Sequence, residues 1–563
     1  MKKEKISRER IPRAAIAAFA AVVLGGALIL GSRLPRGGDV SDFQFPESKF
    51  GNFLALHHAI YADDFDRVAD LSAPLADEGL PIVQNSRATA LFLAGKIDDS
   101  AKFLANDKNM AAQVAYAAHL AKTGDWAGLY KRFRNNNSQV LAPFRIWSGV
   151  AAGKTDESLK FIDKLSGNDS WTVFLRGQVY AETGKPQNAR DFFKKVSTDF
   201  MNLNDYMYIM SFYRNFGFDE EFDALRADFT SRPGGMHMQD FTEFSDFAAY
   251  SGPENALAFG LVQNVSHSPI LNASSLALLL LRAAEAVGPP SLHSGVASGP
   301  GRAVAEGIGG SLNYYLGMFF YTNDSDKYQT YFDSIEKDRI FAPFVFLKKA
   351  EKAGNFNKMK RELERSVAKN PLFLPALNKL IAINMQKGRE NDAFRLVNNA
   401  LKYENLSDRT KAFFLATRAR LYRQTGKFDR ALDDITHAKD LSPGDANVLA
   451  EMAKIWIARR ENLSDAYDVG LAMVAKYPTD LDGWIILALT VREKEGAPNA
   501  LEILERVGRV AQTNSYLFEN LGDIYVEMGE FKSAKSAYLR ALELSDDGLT
   551  SESKLKAKIR KLK

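Results

Sequence analysis

Residues 515–544 read SYLFENLGDIYVEMGEFKSAKSAYLRALEL, and this stretch decides the fold. Apolar residues recur at helical spacing on both sides of Gly529, which predicts two short amphipathic helices joined at that glycine. The side chains predicted at the contact between these helices are Phe518, Leu521, Gly522, Tyr525, Phe531, Ala534, Tyr538 and Ala541. One such hairpin cannot bury both of its faces, so the stretch predicts neighbours of the same kind.

Glycines continue this rhythm upstream. In the C-terminal half the predicted turns lie at Gly354, Gly388, Gly426, near Glu461, and at Gly496, with intervals that cluster near 34 residues. In the N-terminal half they lie at Asp63, Gly95, Gly124, Gly153, Gly184, Gly217 and Gly252, separated by 29 to 35 residues. Regular spacing of this length is typical of a helical repeat array. The sequence therefore predicts an all-α protein.

Residues 412–443 repeat the pattern of the final hairpin. Their matching positions are Ala419, Tyr422, Gly426, Phe428, Ala431, Ala438 and Pro443. This pattern resembles the tetratricopeptide repeat, in which small and aromatic residues pack the two helices of a hairpin together. It is weaker in residues 341–401 and 446–510, and in the N-terminal half residues 170–196 keep it best. The resemblance implies a solenoid, or superhelix, of helical hairpins.

Composition and charge limit the classes of function. Residues 1–13 carry a net charge of +4 and residues 554–563 carry +6, which leaves −6 for the rest of the chain. A nucleic-acid binder would concentrate basic residues on its folded surface, so no nucleic-acid partner is expected. The chain has no cysteine, which excludes disulfides, thiol catalysis and cysteine-ligated zinc.

No catalytic motif stands out in the sequence. The glycines between residues 299 and 310 are not followed by the GKS or GKT of a phosphate-binding loop. The histidines show no HExxH spacing. We therefore predict a non-enzymatic protein with no catalytic residues, metal, cofactor or small-molecule substrate. An enzyme hidden in residues 230–340, where the repeat is least regular, is an alternative.

The N-terminal segment indicates a membrane anchor. Residues 14–31 form an uncharged run of 18 residues, which at a rise of about 1.5 Å per residue just spans a bilayer core. Six basic residues precede it, so residues 1–13 are predicted to stay in the cytoplasm and the body to be exported. This pattern predicts a single-pass protein of the inner membrane with a periplasmic body. A cleaved signal peptide is the alternative.

The remaining chain divides into five predicted segments. Residues 32–49 form a linker, residues 50–267 degenerate repeats, and residues 312–546 better-formed repeats. Between the two sets, residues 268–311 are predicted to be irregular, with a long loop at 288–311 because this stretch is rich in glycine and proline. Residues 547–563 are predicted to form a basic capping helix or tail, with Leu555, Ile559 and Leu562 along one side.

The resemblance also implies a partner-binding groove. In tetratricopeptide repeats, ligand contacts come mainly from the first helix of each hairpin, one position after the conserved small residue and one turn later. These positions correspond here to Lys348, Arg420 and Lys454. Arg423, one turn beyond Arg420, and Asn378, from the intervening repeat, complete the predicted groove. A row of cationic groups suits an extended acidic segment or a terminal carboxylate. Ala382 interrupts the family's full carboxylate-binding pattern, and a solvated face without a specific partner is the alternative.

Together these features predict a membrane-anchored scaffold or adaptor. Its partners would be proteins of the cell envelope that it helps to assemble, secrete or hold in a complex. The alternative is a component of polysaccharide handling or export, in which repeat helices and exposed aromatic residues contact glycan.

Overall fold

A computed structural model describes residues 110–165, 170–231, 252–267, 275–288 and 302–562, except residues 324, 339, 405, 511 and 546–549, together with short stretches between residues 55 and 100. The chain divides into two compact units, residues 1–94 and 95–563. In the first unit the structure describes the helix α1 (Phe65–Ser72), where Val68 is buried. All further elements whose bounds the structure describes belong to the second unit.

The regular elements of the described part of the second unit are all helices, which confirms the predicted all-α class. In its N-terminal half they are α2 (Met110–Lys122), α3 (Trp126–Phe133), α4 (Ala142–Ala151), α5 (Thr155–Leu165), α6 (Ser170–Glu182), α7 (Pro186–Phe193), α8 (Leu203–Asn215), α9 (Asp219–Ser231), α10 (Pro253–Ser266) and α11 (Ser275–Val287). The C-terminal half begins with α12 (Arg302–Thr322), α13 (Tyr328–Ser334), α14 (Ala342–Glu351), α15 (Phe356–Lys369), α16 (Leu374–Gln386) and α17 (Glu390–Ala400). It continues with α18 (Asp408–Gln424), α19 (Phe428–Leu441), α20 (Ala446–Arg459), α21 (Leu463–Lys476), α22 (Leu481–Glu495), α23 (Ala497–Val510), α24 (Ser515–Glu527), α25 (Phe531–Glu543) and α26 (Glu552–Lys561).

Most predicted turns are made by glycines in a left-handed conformation. At Gly426, between α18 and α19, φ is +76°, a value that residues with a side chain rarely adopt. The turn predicted near Glu461 is made without glycine, because Arg460 and Asn462 have φ of 59° and 48°. The described residues therefore form helical hairpins whose turns follow the predicted spacing.

Glycine–aromatic contacts hold the helices of a hairpin together. A Cβ on Gly522 of α24 would lie 2.3 Å from a ring carbon of Tyr538 on α25, so only glycine admits the ring at this distance. Gly177 and Phe193 repeat this contact in the N-terminal half, at 2.4 Å. Phe531 departs from the prediction, since it is 55% exposed as the first residue of α25. The small and aromatic pattern thus marks the hairpin contact except at this terminal position.

The loop predicted over residues 288–311 is shorter than expected, because α12 begins at Arg302. The glycines within this helix allow close packing. A Cβ on Gly310 would lie 2.3 Å from Oδ2 of Asp338, and one on Gly317 would lie 2.4 Å from the ring of Phe332. Buried side chains such as Leu316 and Phe320 offset the helix-forming cost of about 1 kcal/mol per glycine. The glycine and proline content therefore predicted too long an interruption between the helices. The helix α11 also lies within the segment 268–311 that was predicted to be irregular.

In the N-terminal half, α10 and α11 pack against the first helices of the preceding hairpins. Helix α10 contacts α4, where Gly260 admits Trp147, and it contacts α8, where the ring of Phe259 stacks on Tyr208 with centroids 4.9 Å apart. Helix α11 packs on α2. Ten of the 14 residues of α10 are buried, so this helix is part of the core. The inner face of these hairpins is filled by the chain itself.

A buried polar group fixes one end of α10. The carboxylate of Asp205 on α8 is fully buried and accepts a hydrogen bond from Nε2 of Gln263 at 2.7 Å. Nε2 of His267, directly after α10, lies 2.6 Å from the other carboxylate oxygen. Asp205 also accepts from the backbone N–H of Asn202 at 2.9 Å. The packing of α10 is therefore specified by hydrogen bonds as well as by apolar contacts.

The C-terminal helix α26 covers the last hairpin. Leu555 is fully buried in a cluster with Ala534, Tyr538 and Ala541. Nζ of Lys558 lies 2.8 Å from Glu519 and 2.7 Å from Asp523, the acidic inner face of α24. Burial opposes the charge of Lys558, but these two carboxylates outweigh it and raise the pKa of the amine.

Among the described residues, no helix is both long enough and apolar enough to cross a bilayer. The predicted anchor at residues 14–31 and the predicted linker at residues 32–49 lie outside the described residues.

Candidate binding cavity

A cavity of about 840 Å³ lies on the first helices of the C-terminal hairpins. Its wall is formed mainly by α16, α18 and α20, with Asp482 of α22, Tyr516 of α24 and the turn that precedes α15. Five basic and three acidic side chains line it. The cavity therefore combines concave shape with an excess of positive charge, which is suited to an anionic ligand.

Arg423 and Lys454, two of the predicted site residues, line the cavity but are already paired with acidic residues. Arg423 on α18 binds both carboxylate oxygens of Glu451, and its Nη2 lies 3.2 Å from Oε2. Lys454 on α20 lies 2.7 Å from Oδ2 of Asp482. Both cations also lie against the ring of Tyr516, 5.7 and 5.8 Å from its centroid. Acidic residues of the protein itself therefore largely neutralise these two positive charges.

Arg420 is different. It lines the cavity from α18, one turn before Arg423, and has no hydrogen-bond or ion-pair partner in the part of the chain that the structure describes. Burial lowers the pKa of its guanidinium, the negative charge of Glu451 acts against this, and the positive charge of Arg423 acts in the same direction as burial. A desolvated charge without a partner is unfavourable, and a ligand carboxylate would offset that cost.

Asn378 lines the same cavity from α16. Its Oδ1 atom is buried and has no hydrogen-bond partner among the residues that can be described. An unsatisfied amide oxygen costs free energy, and it gains a partner if a ligand or water donates to it. Asn378 and Arg420 are therefore the two predicted residues with unused hydrogen-bonding capacity in the cavity.

Lys348, the fifth predicted residue, does not line the cavity. It lies on α14, where Nζ is 2.8 Å from Oε2 of Glu351. Nζ of Lys379, which does line the cavity, is 3.1 Å from the other oxygen of Glu351. The two lysines hold the pKa of Glu351 below its usual range although burial acts in the opposite direction. Lys348 thus belongs to a local ion-pair group and not to the binding site.

The final hairpin is similar to a known repeat family. Residues 516–547 match the tetratricopeptide repeat model. This stretch of the chain is therefore similar to a tetratricopeptide repeat. Repeats of this kind typically act as non-enzymatic scaffolds for protein–protein interaction.

Solved structures similar to this chain include the Cut9–Hcn1 hetero-tetramer of the APC/C, at 11% identity over 92% of this chain and 96% of that chain, with a TM-score of 0.31. They also include a tetratricopeptide repeat protein from Parabacteroides merdae, at 17% identity over 41% of this chain and 99% of that chain, with a TM-score of 0.27. These TM-scores are too low to support an argument about this chain. None of the curated proteins compared matches it.

The acidic partners in the cavity were missed by sequence reasoning. Glu451 follows Arg423 by 28 residues, and Asp482 follows Lys454 by 28 residues. This offset connects side chains on successive first helices of the array, α18 with α20 and α20 with α22. A search for opposite charges 28 residues apart would have found both pairs. The position 28 residues after Arg420 is Val448, which cannot pair with a guanidinium.

The alternative of an enzyme in residues 230–340 concerns a segment of which the structure describes 252–267, 275–288 and most residues from 302 onward. Within the described part of the chain, no group of three or more histidine, aspartate or glutamate residues is arranged to hold a metal ion. Gln263 and His267 of this segment contact Asp205 of α8, and these contacts hold α10 against α8.

Proposed function

We propose that the protein is a non-enzymatic scaffold that binds a protein partner in the C-terminal cavity, with Arg420 receiving a carboxylate of the partner. The observation that carries this proposal is the charge pairing of the lining. Four of its five basic residues have an acidic partner, within 3.1 Å in each case: Lys379, Lys387, Arg423 and Lys454. Arg420 has none among the described residues.

The size of the cavity supports a short segment of a partner and not a whole helix face. Its volume of about 840 Å³ lies within the range of about 300–1,000 Å³ typical of ligand pockets. Phe413 and Tyr516 add apolar area beside the charge, and Asn378 adds a polar group. A short acidic stretch or the carboxyl terminus of a partner fits these dimensions and this chemistry.

We further propose that the predicted anchor at residues 14–31 holds this scaffold at the inner membrane, with the repeats in the periplasm. The uncharged run and the basic residues before it support this location. A reporter fused after Lys563 tests it, because an enzyme that is active only outside the cytoplasm should be active there. Activity of a cytoplasm-specific reporter at the same position would contradict it.

The cavity is tested with two short fluorescent peptides, one rich in glutamate with an amidated C-terminus and one neutral with a free carboxyl terminus. Arg420→Glu should weaken binding of the preferred peptide about tenfold or more, since a hydrogen bond to a charged group contributes about 1.5–3 kcal/mol. The preference between the peptides distinguishes a side-chain carboxylate from a terminal one.

Arg506→Glu is the matched control for this experiment. It makes the same change of charge on α23, where the side chain of Arg506 is 74% exposed and does not line the cavity. Binding should be unchanged in this variant apart from weak, salt-dependent effects. Equal affinity of the wild-type protein and Arg420→Glu would refute the assignment of the cavity.

A further inference from the structure

The C-terminal helix contacts hairpins that lie far away in sequence. Nζ of Lys387, directly after α16, is 2.9 Å from Oε2 of Glu552 on α26. Nζ of Lys554 donates to the backbone oxygen of Gln424, the last residue of α18. The members of these pairs are 165 and 130 residues apart. Helix α26 therefore contacts hairpins that are not its neighbours along the chain.

A third contact joins the same parts of the molecule. Nε2 of Gln386, the last residue of α16, donates to Oγ of Ser545, which follows α25, at 3.3 Å. Both residues are buried, so water does not readily replace this hydrogen bond. Ser545, Glu552 and Lys554, which we call the brace residues, thus connect the final hairpin with the C-terminal ends of α16 and α18.

Helix α26 is itself fixed on the final hairpin. Leu555 is fully buried in a cluster with residues of α25. Oγ1 of Thr550, just before α26, donates to Oγ of Ser515 on α24 at 2.9 Å, and both residues are buried. Lys558 binds two carboxylates of α24. The contacts with α16 and α18 are therefore made from a fixed position on α24 and α25.

Such contacts limit the curvature of a helical repeat array. Each hairpin of an array packs mainly on its neighbours, so small rotations between neighbours add up along the chain. Between the hairpin of α16 and that of α24 lie the hairpins α18–α19, α20–α21 and α22–α23. A direct contact between the first and the last hairpin of this series restricts the sum of these rotations.

The same contacts act on the wall of the cavity. Gln386, Lys387 and Gln424, the partners of the brace residues, all line it, whereas the brace residues do not. The rest of the wall comes from the hairpins of α16 to α24, whose relative rotation the contacts restrict. The spacing of the lining residues thus depends on side chains outside the lining.

We propose that Ser545, Glu552 and Lys554 form a fixed intramolecular brace, which holds the hairpins around the cavity at one spacing and so positions its lining for the ligand. The effect on the ligand rests on the proposed function of the cavity, whereas the brace itself does not. A cavity that is already in its binding geometry binds more tightly, because binding does not have to order the hairpins.

The brace is tested first without a ligand. Because the chain has no cysteine, Asn399→Cys on α17 and Ser536→Cys on α25 place spin labels at exposed positions of the two hairpins that the brace joins. Ser545→Ala, Glu552→Gln and Lys554→Gln together remove the three contacts without changing the net charge. In this brace variant the distance between the labels should shift and its distribution should broaden.

The matched control makes the same three chemical changes elsewhere. Ser553→Ala, Glu543→Gln and Lys561→Gln alter exposed residues, of which Glu543 pairs with Arg540 and Ser553 bonds with Ser551. The label distance should equal that of the wild-type protein in this control. The same distance in the brace variant would refute the brace.

A charge exchange tests one contact specifically. Lys387→Glu places two carboxylates together and should broaden the label distance, whereas Lys387→Glu combined with Glu552→Lys restores an ion pair and should narrow it again. A general loss of stability would not be rescued in this way. An exchange variant as broad as Lys387→Glu alone would count against the brace.

The effect on the ligand is tested with a short fluorescent peptide rich in glutamate. The brace variant should bind it about fivefold more weakly, which corresponds to hairpins that hold the binding geometry about one fifth of the time. If Glu552 only competed for Lys387, the variant would bind more tightly, since that lysine becomes available. Affinity equal to or above that of the wild-type protein would contradict the positioning effect.

The outcomes separate the brace from the cavity. An unchanged label distance, with binding still lost in Arg420→Glu, would overturn the brace and leave the cavity assignment intact. Absence of peptide binding to the wild-type protein would overturn the cavity as a site for acidic ligands and the positioning effect with it, whereas a broadened distance would still support the brace. A broadened distance together with weaker binding supports the whole proposal.

Discussion

The N-terminal and C-terminal halves of the larger unit contain similar hairpins, but what packs on the first helices of these hairpins differs. In the N-terminal half, α10 and α11 pack on the first helices of the preceding hairpins and complete a core. In the C-terminal half, the equivalent face of α16, α18 and α20 borders a cavity with charged walls. The difference shows that the array keeps an open cavity in the half where the chain does not fill this face.

The chemistry of the two inner faces explains the difference. In the N-terminal half, Trp147 and Tyr208 offer flat apolar area, and Gly260 lets α10 approach them closely. In the C-terminal half, Arg420 and Lys454 would lose their hydration if an apolar helix packed on them. Charge therefore keeps the second face available to ligands.

The largest expected effect concerns Glu182, at the end of α6. One of its carboxyl oxygens has no hydrogen-bond partner among the described residues, and burial raises its pKa to about 8. The folded protein keeps this proton between pH 4.5 and 8 while the unfolded chain loses it, so stability falls as pH rises through this window. Above pH 8 the loss reaches roughly 5 kcal/mol.

Glu182→Gln should remove this pH dependence. Hydrogen exchange of α6 and its neighbours should be similar in the two proteins near pH 4.5 and slower in the variant at pH 9. Exposed Glu220 on α9 provides the control, because Glu220→Gln should change neither profile. A wild-type N-terminal half that is equally protected at both pH values would contradict the buried, protonated state of Glu182.

The second effect tests whether α10 belongs to the core. Asp205→Ala leaves the side chains of Gln263 and His267 without their buried partner, and breaking such a group costs about 3–5 kcal/mol. Hydrogen exchange should accelerate in α8 and α10, whereas peptide binding in the cavity should be unaffected.

The control for Asp205→Ala is Asp480→Ala. Asp480 is the N-cap of α22, where it accepts from the backbone N–H of Asp482, so its loss should cost only about 1 kcal/mol. Similar small effects of both substitutions would mean that α10 is a loosely held occupant, and the contrast between the two inner faces would disappear.

The smallest effect tests what the halves share. Gly522→Ala and Gly177→Ala each place a methyl group against an aromatic ring, which should cost about 1–3 kcal/mol by overpacking. Thermal or chemical unfolding should show similar losses for both. Gly508→Ala is the control, because its Cβ would lie 3.5 Å from Leu521 and the gain in helix propensity is as much as about 1 kcal/mol. A loss confined to one half would show that the two sets of hairpins do not follow one packing rule.

The features that depend on short sequence separations were predictable. The turn at Gly426 and the contact between Gly522 and Tyr538 follow from local spacing, because both lie within one hairpin. The role of Arg420 did not follow in the same way. Glu451, in the next repeat, pairs with Arg423 and not with Arg420. A list of the basic residues in the sequence does not contain this information. The residues of the cavity were therefore easier to predict than their state of charge pairing.

The sequence pattern did not predict the contacts between segments that are distant in sequence. Nothing near Lys387 in sequence indicates that Glu552 approaches it, since the contact depends on how several hairpins add up. The filling helix α10 was likewise not distinguished from the repeats, because its apolar residues have ordinary helical spacing. Local periodicity predicts elements, whereas the accumulated geometry of the array decides which of them meet.

The turn at residues 460–462 has a consequence for how such a chain changes over evolutionary time. At Gly388, Gly426 and Gly529 an added side chain would meet nothing within 4 Å, so the backbone angle alone favours glycine. Arg460 and Asn462 show that residues with side chains adopt this angle where the surroundings leave room, at a cost of about 1–2 kcal/mol. Substitutions can therefore remove the glycine from the turn of a repeat while the hairpin itself persists. The backbone conformation of such a turn is then a better marker of the repeat than the identity of the residue.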